Sequence, residues 1–439
     1  MEKIYVLSLG CPRNLLDSEV LLGKLKKKGF SITEDPMEAD VAIVNTCGFV
    51  QDAKEESIDA ILRLVDLKKE GKIKKLIVSG CLPQRYPQEL MDEIKEIDGV
   101  FGTSDFTMIP ERIEKLFSGK RVKEVKDDPD FLYDHLNERQ LLTSSHSVYV
   151  KIQEGCSNRC SYCVIPDLKG PRRSREIESV LEEISTMKSS HDIKELILIG
   201  QDTTSFGFDR GERQELPELL KKASSVMNDG WVRLLYTHPA HFTDELIDVL
   251  SENKNVCRYV DLPIQHINNR ILKEMNRRVT KEEITDLIRR IREKIEGVTI
   301  RTSIIVGFPG ETQEEFDELV DFLGETRFDR LGCFIYSQEE GTPAASFGDQ
   351  VPEDEFDRVM RLQQEISLKN NQKFMGKKLK VLIDEKDPVD AEQFIGRSEM
   401  DAPEVDGVIY VRGENLKCGD FKDVVITGTM EYDLIGELA

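Results

Sequence analysis

The tightest constraint in this chain is the run Cys156-Ser157-Asn158-Arg159-Cys160-Ser161-Tyr162-Cys163. It follows residues 147–153, which alternate like a strand and stop at Glu154-Gly155. Three thiols in the order C-x-x-x-C-x-x-C therefore share one loop, where they can wrap a corner of an iron–sulfur cube. Thiolate is the soft ligand that such irons select. Three ligands on a four-iron cluster leave one iron open, the mark of a cluster that does chemistry. The alternatives fit less well. A structural zinc site closes with four ligands, and the nearest histidine, His146, lies ten residues before Cys156. Disulfide pairing would leave one thiol over.

C-x-x-x-C-x-aromatic-C after a first strand resembles the radical S-adenosylmethionine enzymes. The resemblance implies that the amino and carboxylate groups of the methionine moiety chelate the open iron, and that Tyr162 lies beside the adenine. Tyr162 reads equally well as an aromatic plugging a barrel mouth.

At 439 residues the chain exceeds one typical domain. Lys and Arg number 61 against 83 Asp and Glu, a net charge of −22. Such a chain has no general attraction for nucleic acid or anionic membranes and favours a basic partner. No apolar run approaches the roughly 20 residues of a spanning helix, and residues 1–7 read as a strand without a leader's cleavage site. Nine cysteines with no paired framework in a large chain point to a reducing cytoplasm and to metal ligation.

In residues 1–120 short apolar runs (4–9, 41–44, 76–78) alternate with helical periodicity (15–28, 57–67, 89–97), the pattern of an α/β domain with a doubly wound parallel sheet. Cys11, Cys47 and Cys81 each fall just beyond the carboxyl end of one of these strands. Those ends share one sheet edge, so three thiols far apart in sequence should converge. Gly10, Gly48 and Gly80 flank them and allow close backbone approach to a bulky group. One cysteine at a strand end is simply a small hydrophobe; three at equivalent points indicate a second three-thiolate cluster.

Gly10-Cys11-Pro12-Arg13-Asn14, Asn45-Thr46-Cys47 and Gly80-Cys81 resemble the first module of the methylthiotransferases, a radical S-adenosylmethionine family, and the likeness covers essentially the whole chain. It implies two 4Fe–4S clusters and S-adenosylmethionine as cofactors. In such a reaction the cluster at Cys156, Cys160 and Cys163 cleaves S-adenosylmethionine and the resulting radical takes a substrate hydrogen. The cluster at Cys11, Cys47 and Cys81 provides sulfur, and a further S-adenosylmethionine provides methyl. An electron donor such as flavodoxin or ferredoxin is implied too.

Residues 121–146 are charged and turn-rich and read as a linker, of which 131–142 can dock on a neighbouring domain. From 147 to 372 six strand–helix units follow, short of a closed eight-unit barrel; the family form is an open partial (β/α)6 barrel. Chemistry then belongs at the carboxyl ends of the strands, where Gly200-Gln201-Asp202, Thr237-His238-Pro239, Pro263-Ile264-Gln265-His266 and Gly307-Phe308-Pro309-Gly310-Glu311-Thr312 lie. The last reads equally as a turn into a helix capped by Thr312. The resemblance places Gly200, Gln201 and Gly307 at the adenosyl pocket, although many members have Gly-Gly-Glu where this chain has Gly200-Gln201-Asp202. His238 and His266 can titrate near neutrality, but radical chemistry needs neither as a base. Cys257, Cys333 and Cys418 lack ligand spacing.

Residues 373–439 change to short strands with Gly and Asp turns, a small antiparallel barrel of oligonucleotide-binding type, and resemble the TRAM module. With 9 Lys and Arg against 15 Asp and Glu, this barrel is not built for an RNA backbone. Two main branches of the family modify a transfer-RNA adenosine or an aspartate of small-subunit ribosomal protein twelve. The stretches 8–14, 201–203 and 397–404 resemble the ribosomal branch, and the acidic charge agrees, since a polyanion would be repelled and a basic ribosomal protein attracted. Direct transfer-RNA binding and membrane association are not expected. The rival readings are a transfer-RNA adenosine 2-methylthiotransferase and, more distantly, a non-enzymatic iron–sulfur RNA-binding sensor.

Overall fold

The structure is a computed structural model that describes residues 2–211, 213–348 and 354–439. The chain divides into two compact units. The first holds residues 1–142 with 153–159 and 163–183, and the second holds 143–152, 160–162 and 184–439.

In the first unit six strands form one sheet in the order Ser31–Thr33, Lys3–Ser8, Val41–Thr46, Lys75–Gly80, Gly99–Phe101, Val122–Glu124. Every neighbouring pair is parallel. The central strands Val41–Thr46 and Lys75–Gly80 are buried almost end to end because helices cover the sheet. Side chains two apart share a face, so Ala42, Val44, Leu76 and Val78 pack together on Ile61, Leu64 and Val65 of the helix Gln51–Lys69. The sixth strand lies just past residue 120, where the sequence reading closes this domain; three residues with one buried member, Val122, carry too little periodicity to announce themselves.

The stretch read as a linker is anchored within this unit as far as Leu142. Phe131 meets Phe106 edge-on at 5.3 Å, and Tyr133 lies under the Arg175 guanidinium at 4.6 Å. Arg139, its side chain 4% exposed, holds Glu19 at 2.6 Å and Glu183 at 2.5 Å.

The second unit carries six parallel strands in two sets of three, Ser147–Lys151, Glu195–Ile199 and Trp231–Leu234, then Tyr259–Asp261, Thr299–Val306 and Arg330–Ile335. A parallel bridge between Val232 and Val256 joins the sets. This is the open six-strand form. The tail is a closed five-strand barrel, Lys378–Lys386, Gln393–Arg397, Ile409–Arg412, Leu434–Leu438 and Phe421–Thr429, filled by Val381, Ile383, Val411, Val424 and Ile426. Its neighbours are antiparallel except for the pair Ile409–Arg412 and Leu434–Leu438, which is parallel and closes the ring.

The tail barrel is held by charge at the amino ends of the central strands. Glu195 opens its strand, fully buried, and accepts from Arg233 Nε at 2.7 Å, Arg397 Nη2 at 2.8 Å and Ser147 Oγ at 2.9 Å. Arg330 opens another strand and donates to Asp401 at 2.6 Å, while the Tyr259 hydroxyl donates to Asp406 at 2.5 Å. A buried ion is tolerated only when its lone pairs and protons are met in this way. No helix of the described residues is long and apolar enough to cross a membrane.

Candidate functional site

In the first unit the strands that end before Cys11, Cys47 and Cys81 are immediate neighbours in the sheet, so their carboxyl ends deliver three loops to one edge. Cys11 is the N-cap of the helix Pro12–Lys27, and Cys81 opens the short helix Cys81–Arg85. Asn14, buried in the first turn, ties two loops together, its Nδ2 donating to Leu9 O at 3.1 Å and Thr46 O at 2.8 Å. Asn45 returns the bond to Asn14 O at 2.8 Å. Ser57 clamps Cys47, accepting from its N–H at 3.1 Å and donating to its carbonyl at 2.9 Å.

Glycine is required twice here. A Cβ on Gly10, at φ +84°, would stand 2.7 Å from Cys47 Cβ and 3.1 Å from its Sγ. One on Gly48 would stand 2.9 Å from Leu82 N. A non-glycine residue in the left-handed region costs about 1–2 kcal/mol before any clash. The substitution Gly10→Ala is expected to leave the fold intact and to lower the iron content that these three cysteines support, read by iron assay after anaerobic reconstitution. Full iron retention would show that the close approach is dispensable.

The thiols differ electrostatically. Burial opposes ionisation of Cys11, but Arg13, its Nε 3.5 Å from Sγ, and the backbone N–H groups of Asn14 and Arg13 draw its pKa below the usual value. Burial raises Cys47 and pushes Cys81 up to about 12, with Lys169 opposing. Cys11 also raises Cys47, and both raise Cys81. Among the described residues no three His, Cys, Asp or Glu side chains close around a single metal ion; an iron–sulfur cube takes one thiolate per iron and asks for no such convergence on a point. Three converging soft ligands, with no histidine among them and glycine backbones at the rim, fit a cluster.

Cys156, Cys160 and Cys163 lie on one loop without regular structure as far as residue 160. In the first unit Cys156 N donates to Gly170 O at 3.1 Å. Gly155, at φ +77°, is pressed so closely on the Pro171 carbonyl that a Cβ would stand 2.2 Å from it. All three thiols are partly exposed.

In the second unit Tyr162 packs with Ile271, Met275, Phe308, Tyr336 and Ala344, and its hydroxyl accepts from Arg277 Nη1 at 3.3 Å. Phe308 follows Gly307, so the structure brings the tyrosine to the Gly307 turn, as a plug in an apolar cluster. Gly307 has φ +68° and its N–H donates to Glu355 at 3.1 Å. Thr312 does cap a helix, Gln313–Thr326, with a full capping box.

Gly200 and Gln201 lie at the carboxyl end of Glu195–Ile199. Next to them Asp202 is buried, bonded to His241 Nδ1 at 2.8 Å and Thr204 Oγ1 at 2.6 Å. Burial opposes its charge, and these partners hold the carboxyl well below the usual range. His238 Nδ1 accepts from Ala240 N at 3.2 Å, and burial followed by nearby Arg277 lowers its pKa well below the ordinary value. His266 Nδ1 accepts from Asn268 N at 3.0 Å, which leaves Nε2–H for Glu311 at 3.0 Å. The His266 ring is bonded at both nitrogens, whereas His238 Nε2 is buried without a hydrogen-bond partner. Cys257 and Cys333 are buried and Cys418 is exposed.

Sequence reasoning missed Asn14 as the loop tie, Arg277 behind Tyr162, and Lys169 beside Cys81. Only Asn14 left a signal, since it stands in the Gly10–Asn14 motif.

The chain matches the Radical SAM superfamily over residues 150–323, the Uncharacterized protein family UPF0004 over residues 3–102 and the TRAM domain over residues 375–439. It is 48% identical to "Ribosomal protein uS12 methylthiotransferase RimO" of Desulforamulus reducens over 100% of both chains. It is 47% identical to the protein of that name from Pelotomaculum thermopropionicum over 99% of both. Among solved structures it resembles the radical S-adenosylmethionine methyltransferase TsrM from Kitasatospora setae, with a TM-score of 0.57 at 17% identity, covering 78% of this chain and 77% of that one. It also resembles the cobalamin-dependent radical enzyme OxsB, with a TM-score of 0.51 at 12% identity, covering 83% and 56%. At these identities the structural likeness speaks for the fold.

Proposed function

This chain belongs to the family of ribosomal protein uS12 methylthiotransferases, and from that premise we infer how its own residues serve the reaction. The protein is a radical S-adenosylmethionine enzyme that adds a methylthio group to uS12. The modified atom in our reading is the β-carbon of an aspartate.

Two 4Fe–4S clusters serve this, one on Cys156, Cys160 and Cys163 and one on Cys11, Cys47 and Cys81. The second rests on a single observation, the delivery of three thiols to one sheet edge by adjacent parallel strands. When bound, the clusters supply an electron to S-adenosylmethionine and sulfur to the substrate. The protein's part is to hold and shield. Tyr162, Gly200, Gln201 and Gly307 border the S-adenosylmethionine pocket, with Arg277 fixing the tyrosine ring through its hydroxyl. The domain limits at residues 120, 146 and 372 stand as our division of labour between cluster, radical and tail domains.

A flavodoxin- or ferredoxin-type donor supplies electrons, and the protein works in the cytoplasm, where uS12 is made. Its charge of −22 suits a basic ribosomal protein and opposes transfer RNA.

The test offers both substrates to anaerobically reconstituted enzyme with S-adenosylmethionine and reductant. Mass spectrometry is expected to find a methylthio adduct on one aspartate-containing uS12 peptide. Methylthio-adenosine in transfer RNA beside unmodified uS12 would overturn the assignment.

A further inference from the structure

Lys169 is buried, and its ammonium acts electrostatically on Cys81. It ends the helix Ile165–Lys169, which begins two residues after Cys163, and its Nζ donates to Asp17 Oδ2 at 2.9 Å. Both side chains are buried, Lys169 at 5% and Asp17 at 7% exposure. Asp17 stands on the helix that Cys11 caps. The same short segment seats Val164 and Leu168 on Cys81 and Phe49, and Leu168 O accepts from Thr103 Oγ1 at 2.6 Å.

The charged groups that act on the ammonium are Asp17, Glu154 and Cys81. They come from segments that lead to Cys11, Cys156 and Cys81, and the lysine itself hangs from the segment of Cys163. A structural ion pair needs only one carboxylate. This cation is placed where chain from both cysteine sets meets. Burying an ammonium is costly unless nearby negative charge compensates it, and a trithiolate cluster carries negative charge in excess. Charge and hydrogen bonding around a cluster set its potential.

We propose that Lys169, balanced by Asp17, is a positioning residue that sets the charge of the Cys11–Cys47–Cys81 cluster pocket. This rests on the reading of those cysteines as cluster ligands. As a pair the two residues are neutral. Removing the lysine takes one positive charge from beside the cluster and makes reduction harder. Removing the aspartate takes one negative charge away and makes reduction easier. Removing both leaves the net charge of the pocket as it was.

The experiment uses the full chain with Cys156, Cys160 and Cys163 changed to Ala, so that only the N-terminal cluster loads. Its midpoint potential is read by an EPR-monitored redox titration. Lys169→Met is expected to shift the potential downward and Asp17→Asn upward. The double variant should return close to the parent, and Lys169→Arg should stay there. A purely structural role would move all variants one way. If Lys169→Met loads no iron, Asp17→Asn and the double variant decide: absence of an upward shift in the first, or of a return in the second, overturns the proposal. A parent that holds no iron would instead refute the cluster reading on which the proposal stands.

Discussion

Replacing Cys156, Cys160 and Cys163 together with Ala is expected to abolish formation of 5′-deoxyadenosine and to halve the iron of the reconstituted protein. Two cubes hold about eight irons per chain, so each triad accounts for about four. Replacing Cys11, Cys47 and Cys81 should also halve the iron yet leave S-adenosylmethionine cleavage in place, while no methylthio product forms. The asymmetry follows from geometry. Tyr162, on the same loop as the first set, packs with Phe308 of the Gly307 turn, whereas the second set is fixed at the edge of a parallel sheet. Full iron in the second triple variant would mean that the convergence of its strands serves packing alone.

A second large effect is expected at Arg397. It bonds Glu195 at 2.8 Å and Asp384 at 2.7 Å and is itself buried. Arg397→Met leaves Glu195 in the core with Arg233 as its remaining cation, and breaking a buried pair by removing one partner costs about 3–5 kcal/mol. Thermal unfolding and limited proteolysis of residues 373–439 would report the loss; an unchanged melting profile would show that Arg233 and Ser147 suffice. Acid adds a second signature. Burial opposes the Glu195 charge, but Arg397 and Arg233 outweigh it and bring its pKa down to about 2. A depressed carboxylate stabilises fully above its unfolded value, and that contribution drains away as pH falls toward about 2. The variant should lose less stability than the parent across that window.

The cysteines were legible because ligand chemistry and strand periodicity each mark the same positions. A parallel strand buried on both faces is a short apolar run, and its end is visible from sequence alone, so three strand ends give one edge. Val122–Glu124 was hidden for the opposite reason, being too short to show a period. Glu195 and Arg233 show another limit. Arg233 sits inside an apolar run, where periodicity reads it as a strand member, Glu195 stands just before another, and the Glu195 partner Arg397 lies 202 residues on. Nothing local reports such a pairing, and the same holds for Lys169 and Asp17, 152 residues apart.

The charged seam beneath the central strands bears on modularity. A TRAM barrel looks like a part that a gene could exchange freely, since its core is self-contained. Here the barrel brings Arg397, Asp401 and Asp406 to meet Glu195, Arg330 and Tyr259. A barrel borrowed from another protein would strand those three groups in a dry interface. Each half of the seam is therefore inherited with the other, and recombination at residue 373 selects for donors that already carry the matching charges.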